Sequence, residues 1–454
     1  MSDTIAAVAT GNSVSGIGVI RISGDNAITI AEKVFKAADG TSLSDLGGYR
    51  AKFGNVMRGG ECFDNAVALV FRNPKSYTGE DVVELSVHGG IFIVEKTLEA
   101  VFAAGARPAQ AGEFTKRAFL HGKMDLAQAE GVAALISAQG QAAAAASYNL
   151  LQGSLSNKIS QVSDALISCS ASMAAWVDYP DEEIPELEES ALKQILENAK
   201  NTLLDLIKNY ENGTVMTQGV DTVIAGKPNA GKSTLMNMLS GQEKSIVTHI
   251  EGTTRDVVEN SVRLGNMVLH LADTAGIRES DDVVEAIGIK KAVDRIERSS
   301  LILAVFDASS PLNDDDYMLM HSCKGKKCVA IINKTDLPVE LNIEEIENNF
   351  SNVVHISAKN NEGADILEKA VKNTLGVEEF DSSLPLLANQ RQKLCVENAL
   401  ENVSQALDGL NMGITYDAIN VMIDCAVEEL LTLTGKKVTE EVVSNIFSRF
   451  CVGK

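Results

Sequence analysis

The spacing of hydrophobic and polar positions changes along the chain, and each change marks a different kind of structure. Up to about residue 120, apolar stretches at 18–22, 66–71 and 81–88 have strand character, and helical spacing appears at 27–35 and 93–103. Residues 1–120 are therefore predicted to form an α+β domain. From 121 to 215 the pattern turns helical. Leu192, Ile195, Leu196, Ala199, Leu203, Leu206, Ile207 and Tyr210 recur with a period of about 3.6 residues, one apolar face of an amphipathic helix. Just upstream, Pro180 and Pro185 break the helix among acidic residues, which read as a solvated turn and helix start. Between 216 and 378, the runs 220–225, 267–272, 328–332 and 353–356 read as strands. After the polar stretch 378–383, helical spacing resumes at Val396, Ala399, Leu400, Val403, Leu407 and Leu410, and again at Val443, Ile446, Phe447 and Phe450. The simplest arrangement is a discontinuous helical domain, 121–215 and 379–454, with a module inserted at 216–378. No internal repeat is visible.

The inserted module carries the chemistry. Gly226, Lys227, Pro228, Asn229, Ala230, Gly231, Lys232 and Ser233 fit the phosphate-loop pattern at every fixed position, after a strand and before a helix-like run. Glycines let backbone N–H groups turn toward phosphate oxygens, Lys232 can reach the β and γ phosphates, and the Ser233 hydroxyl can ligate Mg²⁺. Asp273, Thr274, Ala275 and Gly276 follow the next strand, where a carboxylate serves the magnesium site. Asn333, Lys334, Thr335 and Asp336 close a third. The Asp336 carboxylate can accept from both N1–H and the 2-amino group of guanine, which adenine does not offer together. Ser357, Ala358 and Lys359 end a fourth strand and can present a backbone N–H to the guanine carbonyl. Each tetrapeptide alone is an ordinary turn. Their order, each at a strand end, implies a Ras-like P-loop GTPase module.

Hydrolysis poses a question of its own. Ras-like GTPases orient water with a Gln directly after the Asp-x-x-Gly motif, and here Ile277 holds that position. Arg278, Glu279, Asp281, Asp282 and Glu285 are the candidates downstream. The Asn229 amide is either a loop stabiliser or a ligand for a monovalent cation near the phosphates.

Composition adds limits. At 454 residues, 45% hydrophobic and 22% charged, the chain is long enough for about three globular domains. The net charge of −22 and the lack of a basic stripe argue against RNA binding through many phosphate contacts. Seven scattered cysteines without a C-x-x-C pair fit a reducing cytoplasm. The opening residues lack a basic n-region, and the uncharged run 131–157 is too polar for a membrane span, so neither a signal peptide nor a membrane span is expected. His321, Cys323 and Cys328 supply too few ligands for zinc and read as loop and strand residues. Residues 74–81 and 112–120 combine polar loops, charges and aromatics, as either caps or a ligand pocket. Cys451 alone is a cysteine near a frayed end.

The phosphate loop, the Glu251, Gly252, Thr253, Thr254, Arg255, Asp256 stretch and the 273–276 motif together resemble the potassium-activated bacterial GTPases of the TrmE-Era-EngA-like family. Residues 76–81, 112–115 and the final Cys451, Val452, Gly453 and Lys454 resemble, among them, the tRNA uridine-5-carboxymethylaminomethyl modification GTPases, over the whole chain. The resemblance implies a folate-binding, dimer-forming N-terminal domain with Arg21, Glu84 and Lys123 toward a tetrahydrofolate one-carbon donor. It implies K⁺ at Asn229, Thr248, Ile250 and Thr253, Mg²⁺ at Ser233 and Thr254, and Glu285 orienting the attacking water. It implies Cys451 acting in tRNA modification, in a homodimer that joins an FAD-dependent protein of the MnmG/GidA type in a heterotetramer in the cytoplasm. His121 stands where Asn is expected. An RNA-binding assembly GTPase would instead carry a basic module beside the GTPase.

Overall fold

The computed structural model describes residues 3–138, 140–178, 188–241, 261–271, 296–377, 381 and 384–453. They divide into two compact units, one of residues 3–133 and 431–453, the other of the described residues between 134 and 430.

The first unit is built on strands β1 (Ile5–Val8), β2 (Ile17–Ser23), β3 (Phe35–Ala37), β4 (Arg50–Arg58), β5 (Glu61–Phe71), β6 (Val82–His88) and β7 (Arg107–Pro108). Their order is β3-β4-β5-β6-β2-β1-β7, antiparallel except where β7 runs parallel to β1. Gly59 and Gly60, both at positive φ, make the tight β4–β5 hairpin. Helices α1 (Ala27–Val34) and α2 (Ile91–Ala103) cover one face, burying Ala27, Ile30, Val94 and Val101 against Ile20, Ile22, Val83 and Leu85. The apolar alternation of β2 and β6 therefore serves this core, while Arg21 and Glu84, paired in register, belong to the opposite set of positions.

Helices α3 (Glu113–Leu120) and α4 (Leu126–Ser137) follow, and the last helix of the chain, Glu440–Phe447, packs with them. Leu126 and Ala129 meet Val443 and Phe447, and the Phe119 and Phe450 rings lie tilted against Phe447 with centres 6.2 and 5.1 Å away. Helical spacing at Val443, Phe447 and Phe450 thus buries a stripe in the N-terminal unit. Charges are buried here too. The Arg117 guanidinium reaches Glu80 and Glu113 at 3.0 Å and Asp3 at 2.8 Å. Arg107 clamps Glu113 at 2.5 Å. Burial pushes the Glu113 carboxyl up, but Arg107, the Gln110 N–H and Arg117 outweigh it and hold it below the usual range.

In the second unit, helices α5 (Gln141–Leu151), α6 (Ser154–Asp178) and α7 (Glu189–Gln218) precede the sheet. Leu192, Leu196, Ala199, Leu203 and Leu206 of α7 are buried as their period predicts. The sheet contains β8 (Val220–Ala225), β9 (Ser261–Leu264), β10 (Met267–Leu271), β11 (Leu301–Asp307), β12 (Cys328–Asn333) and β13 (Val353–His355). Its order is β13-β12-β11-β8-β10-β9, parallel except for β9. Helices α8 (Lys232–Gly241) and α11 (Ala364–Leu375) cover one face, and α9 (Asp314–Ser322) and α10 (Ile343–Asn349) the other. Helices α12 (Gln390–Asn411) and α13 (Tyr416–Thr434) then resume the helical part.

Candidate functional site

Strand β8 has β10 on one side and β11 on the other, both parallel to it. The strand order reverses there, and in doubly wound sheets ligands bind beyond the carboxyl ends of the strands at such a point. The phosphate loop leaves the carboxyl end of β8 there. Gly226 lies so close to β11 that a Cβ would stand 2.5 Å from the Val305 carbonyl oxygen. Gly231, at φ +92°, leaves no room for one against Asn333 Nδ2. Asn229, exposed at the crest of the loop, also has positive φ.

Lys232 is oriented by the loop itself. Its Nζ donates to the carbonyls of Gly226 and Lys227, each at 2.8 Å. An ammonium has three donors, so one remains for a phosphate. Burial pushes its pKa below the usual lysine value. Ser233 is exposed in the first turn of α8.

The loops that follow β12 and β13 meet the phosphate loop through Asn333. Its Nδ2 donates to the Ala230 carbonyl at 3.0 Å, and its Oδ1 accepts from the Ala358 N–H at 3.1 Å. Ala230 and Asn333 are buried. Ser357 donates to Asp336 Oδ1 at 2.7 Å, which holds that exposed carboxyl below its usual pKa. Lys334 reaches Asp307 Oδ2 at 2.6 Å. Burial pushes Asp307 up, but its bonds from Lys334 and Ser309 bring it below the usual range. Asp307 is a residue the motif reading missed; its signal is an acid closing an otherwise apolar strand. Lys359 is exposed beside this group. Thus Asn229, Ala230 and Gly231 of the phosphate loop, Lys232 and Ser233 at the start of α8, Asn333 at the end of β12, and Lys334, Asp336, Ser357, Ala358 and Lys359 in the loops that follow β12 and β13 gather at one end of the sheet. Thr248, Ile250, Thr253, Thr254, Asp273, Thr274, Ala275, Gly276, Ile277 and Glu285 lie outside the described residues.

A second cluster occupies the first unit. Arg21 Nε donates to Glu84 Oε1 at 2.8 Å, and the guanidinium lies 5.6 Å from the ring centres of both Tyr77 and Phe114. Its Nη1 donates to the Gly453 carbonyl at 3.2 Å. The Cys451 carbonyl accepts from the Gly112 N–H at 3.3 Å. The C-terminal tail is therefore seated beside Arg21, with the Cys451 side chain partly exposed. Arg449, in the turn after the last helix, donates to Asn445 of that helix. Lys123 stands apart from the Arg21–Glu84 pair and donates to the Pro74 carbonyl at 2.8 Å. It lines a cavity of about 290 Å³ with Asp25, Asn73, Glu80 and His121. His121 Nδ1 donates to the Thr78 carbonyl at 2.7 Å, so the residue that departs from the expected Asn fastens the 74–81 loop.

A parallel sheet with its phosphate loop at the switch point, and an Asn-Lys-x-Asp loop joined to it through Asn333, define a P-loop GTPase. Comparison with known proteins gives the family. Residues 4–123 match the model for the GTP-binding protein TrmE N-terminus, and residues 126–451 the model for the MnmE helical domain. The tRNA modification GTPase MnmE of Clostridioides difficile is 38% identical over 100% of both chains. That of Acetivibrio thermocellus is 37% identical over 100% of this chain and 99% of its own. The chain belongs to the MnmE family of tRNA modification GTPases. Among solved structures, the FeoB G-domain from Methanococcus jannaschii is 22% identical over 35% of this chain and 98% of that one, with a TM-score of 0.26.

Proposed function

We propose that this chain is a potassium-activated GTP hydrolase which, with an FAD-dependent protein of the MnmG/GidA type, adds an aminomethyl or carboxymethylaminomethyl group to the 5-position of wobble uridine in certain tRNAs. The observation that supports this most is the seat of the tail: the segment holding Cys451 is bonded to Gly112 and Arg21.

Each residue then has a task. Lys232 and the loop N–H groups hold the phosphates, Asp336 and the Ala358 N–H read guanine, and Asn333 keeps the two sets in register. Ser233, with Thr254, offers the hard hydroxyl oxygens that Mg²⁺ takes, and bound Mg²⁺ supplies charge neutralisation between the phosphates. Asn229 exposes an amide oxygen suited to K⁺, with Thr248, Ile250 and Thr253 completing that set. Glu285 orients the attacking water in place of a Gln. Arg21, near the rings of Tyr77 and Phe114 and paired with Glu84, suits a flat heterocycle, a tetrahydrofolate donor, with Lys123 serving its anionic end. Cys451 is the group of the tail that acts in the tRNA reaction. We assign the domains as 1–120, 121–215, 216–378 and 379–454, and the working form as a cytoplasmic homodimer joined to its partner in a heterotetramer.

The test is mass spectrometry of wobble-uridine nucleosides in cells whose only copy carries Cys451→Ser, beside wild type and a deletion. Loss of the modified nucleoside in both altered strains supports the function and the cysteine. Loss in the deletion alone removes the cysteine's role, and retention in all three overturns the function.

A further inference from the structure

Lys227, the second residue of the phosphate loop, has two attachments that belong to different parts of the module. Its backbone carbonyl accepts one of the Lys232 ammonium bonds at 2.8 Å. Its side chain runs the other way, donating to Asp316 Oδ2 at 2.9 Å and to the Pro311 carbonyl at 3.2 Å. The side chains of this ion pair are 10% and 1% exposed.

Asp316 is held by its own helix as well. The Asn313 side chain accepts from the Asp316 N–H, and Asp316 Oδ2 accepts from the Asn313 N–H at 3.2 Å, a reciprocal cap on α9. Its other oxygen, Oδ1, is buried without a hydrogen-bond partner among the described residues. A carboxylate so enclosed depends on its cation, because removing one member of a buried pair leaves the other uncompensated. The Lys227 side chain is thus fixed at its far end by a helix that is itself capped.

We infer that Lys227 is a positioning residue for the GTPase: Asp316 and the Pro311 carbonyl anchor its side chain, and this fixes the peptide plane whose carbonyl aims the Lys232 ammonium at the nucleotide phosphates. Helix α9 is the strut behind the phosphate loop. Neither Lys227 nor Asp316 touches the reacting atoms in this assignment.

The experiment compares the full chain with Lys227→Met, Lys227→Arg and Asp316→Asn, measuring the Kd of a fluorescent GDP, the KM and kcat for GTP, and Tm. Lys227→Met is expected to weaken GDP binding and raise KM about tenfold. Lys227→Arg is expected to recover most of the loss, and Asp316→Asn to weaken binding about threefold, since it keeps an acceptor but loses the charge. Preference for GTP over ITP stays as in wild type, because the Asp336 loop is untouched. Nucleotide constants equal to wild type in Asp316→Asn and in folded Lys227→Met, whatever their Tm, overturn the inference and leave the pair a matter of stability alone. If Lys227→Met does not fold, Asp316→Asn and Lys227→Arg decide by the same constants.

Discussion

The Ser357 hydroxyl donates to the Asp336 carboxylate across 2.7 Å, joining the two loops that follow β12 and β13. The bond favours the ionised carboxylate, the form that the proposed contact with two guanine donors requires. Replacing Asp336 by Asn turns one acceptor into a donor. The Asp336→Asn chain is expected to lose about a hundredfold in GTP affinity and to prefer xanthosine triphosphate, whose 2-oxo group accepts from the amide. Competition binding with the two nucleotides checks this, and unchanged GTP selectivity would remove the guanine assignment.

Asn333→Ala should be costly in a different way. It leaves the Ala230 carbonyl and the Ala358 N–H without their buried partner. A buried unpaired group costs about 1–3 kcal/mol, so with two such groups the module should lose about 2–6 kcal/mol of stability along with nucleotide affinity. Urea unfolding of the chain with and without GDP measures both. A loss of affinity at full stability would mean that the bridge does not hold the loops.

Glu113 gives a dependence on pH. Its folded pKa lies below the ordinary glutamate value of 4.5, so the unfolded chain takes up its proton first as the pH falls. The stabilisation is complete above that value and disappears as pH falls through the folded pKa. Hydrogen exchange of α3 amides should therefore accelerate as the pH falls below 4.5, after correction for the intrinsic rate, more in wild type than in Glu113→Gln. Parallel profiles would show that the cluster with Arg107 and Arg117 contributes nothing to this region.

Arg21→Ala removes the donor that holds the Gly453 carbonyl. Exchange at residues 450–453 is expected to rise about tenfold while β2 amides keep their protection. Tail amides as protected as in wild type would mean that helix packing, through Phe447 and Phe450, seats the tail without Arg21.

Glu285→Ala is expected to lower kcat for GTP about a hundredfold or more with GDP and GTP affinities nearly intact, since orienting water matters only in the transition state. Stopped-flow binding with single-turnover hydrolysis separates the two. Lost affinity would make Glu285 a structural residue.

Much of this was legible along the chain because it is local. Glycine spacing sets the shape of the phosphate loop, and strand ends set where Asn333, Asp336 and Ser357 fall. The period of Leu192, Leu196, Ala199 and Leu203 names the buried face of α7 whatever it packs against. The period of Val443, Phe447 and Phe450 likewise names a buried face, yet it does not name the unit that buries it. That depends on a complementary surface around Leu126 and Phe119, far away in sequence.

The sequence by itself determined the nucleotide, the order of the loops and the type of each main element, because these follow from residue spacing and backbone preference. Only the tertiary structure decided that Arg21 meets Gly453, that Lys334 meets Asp307, and that the residues from Leu431 onward join the N-terminal unit. Such pairs are chosen by which faces bury together and which buried charges must be matched. No local period encodes that choice.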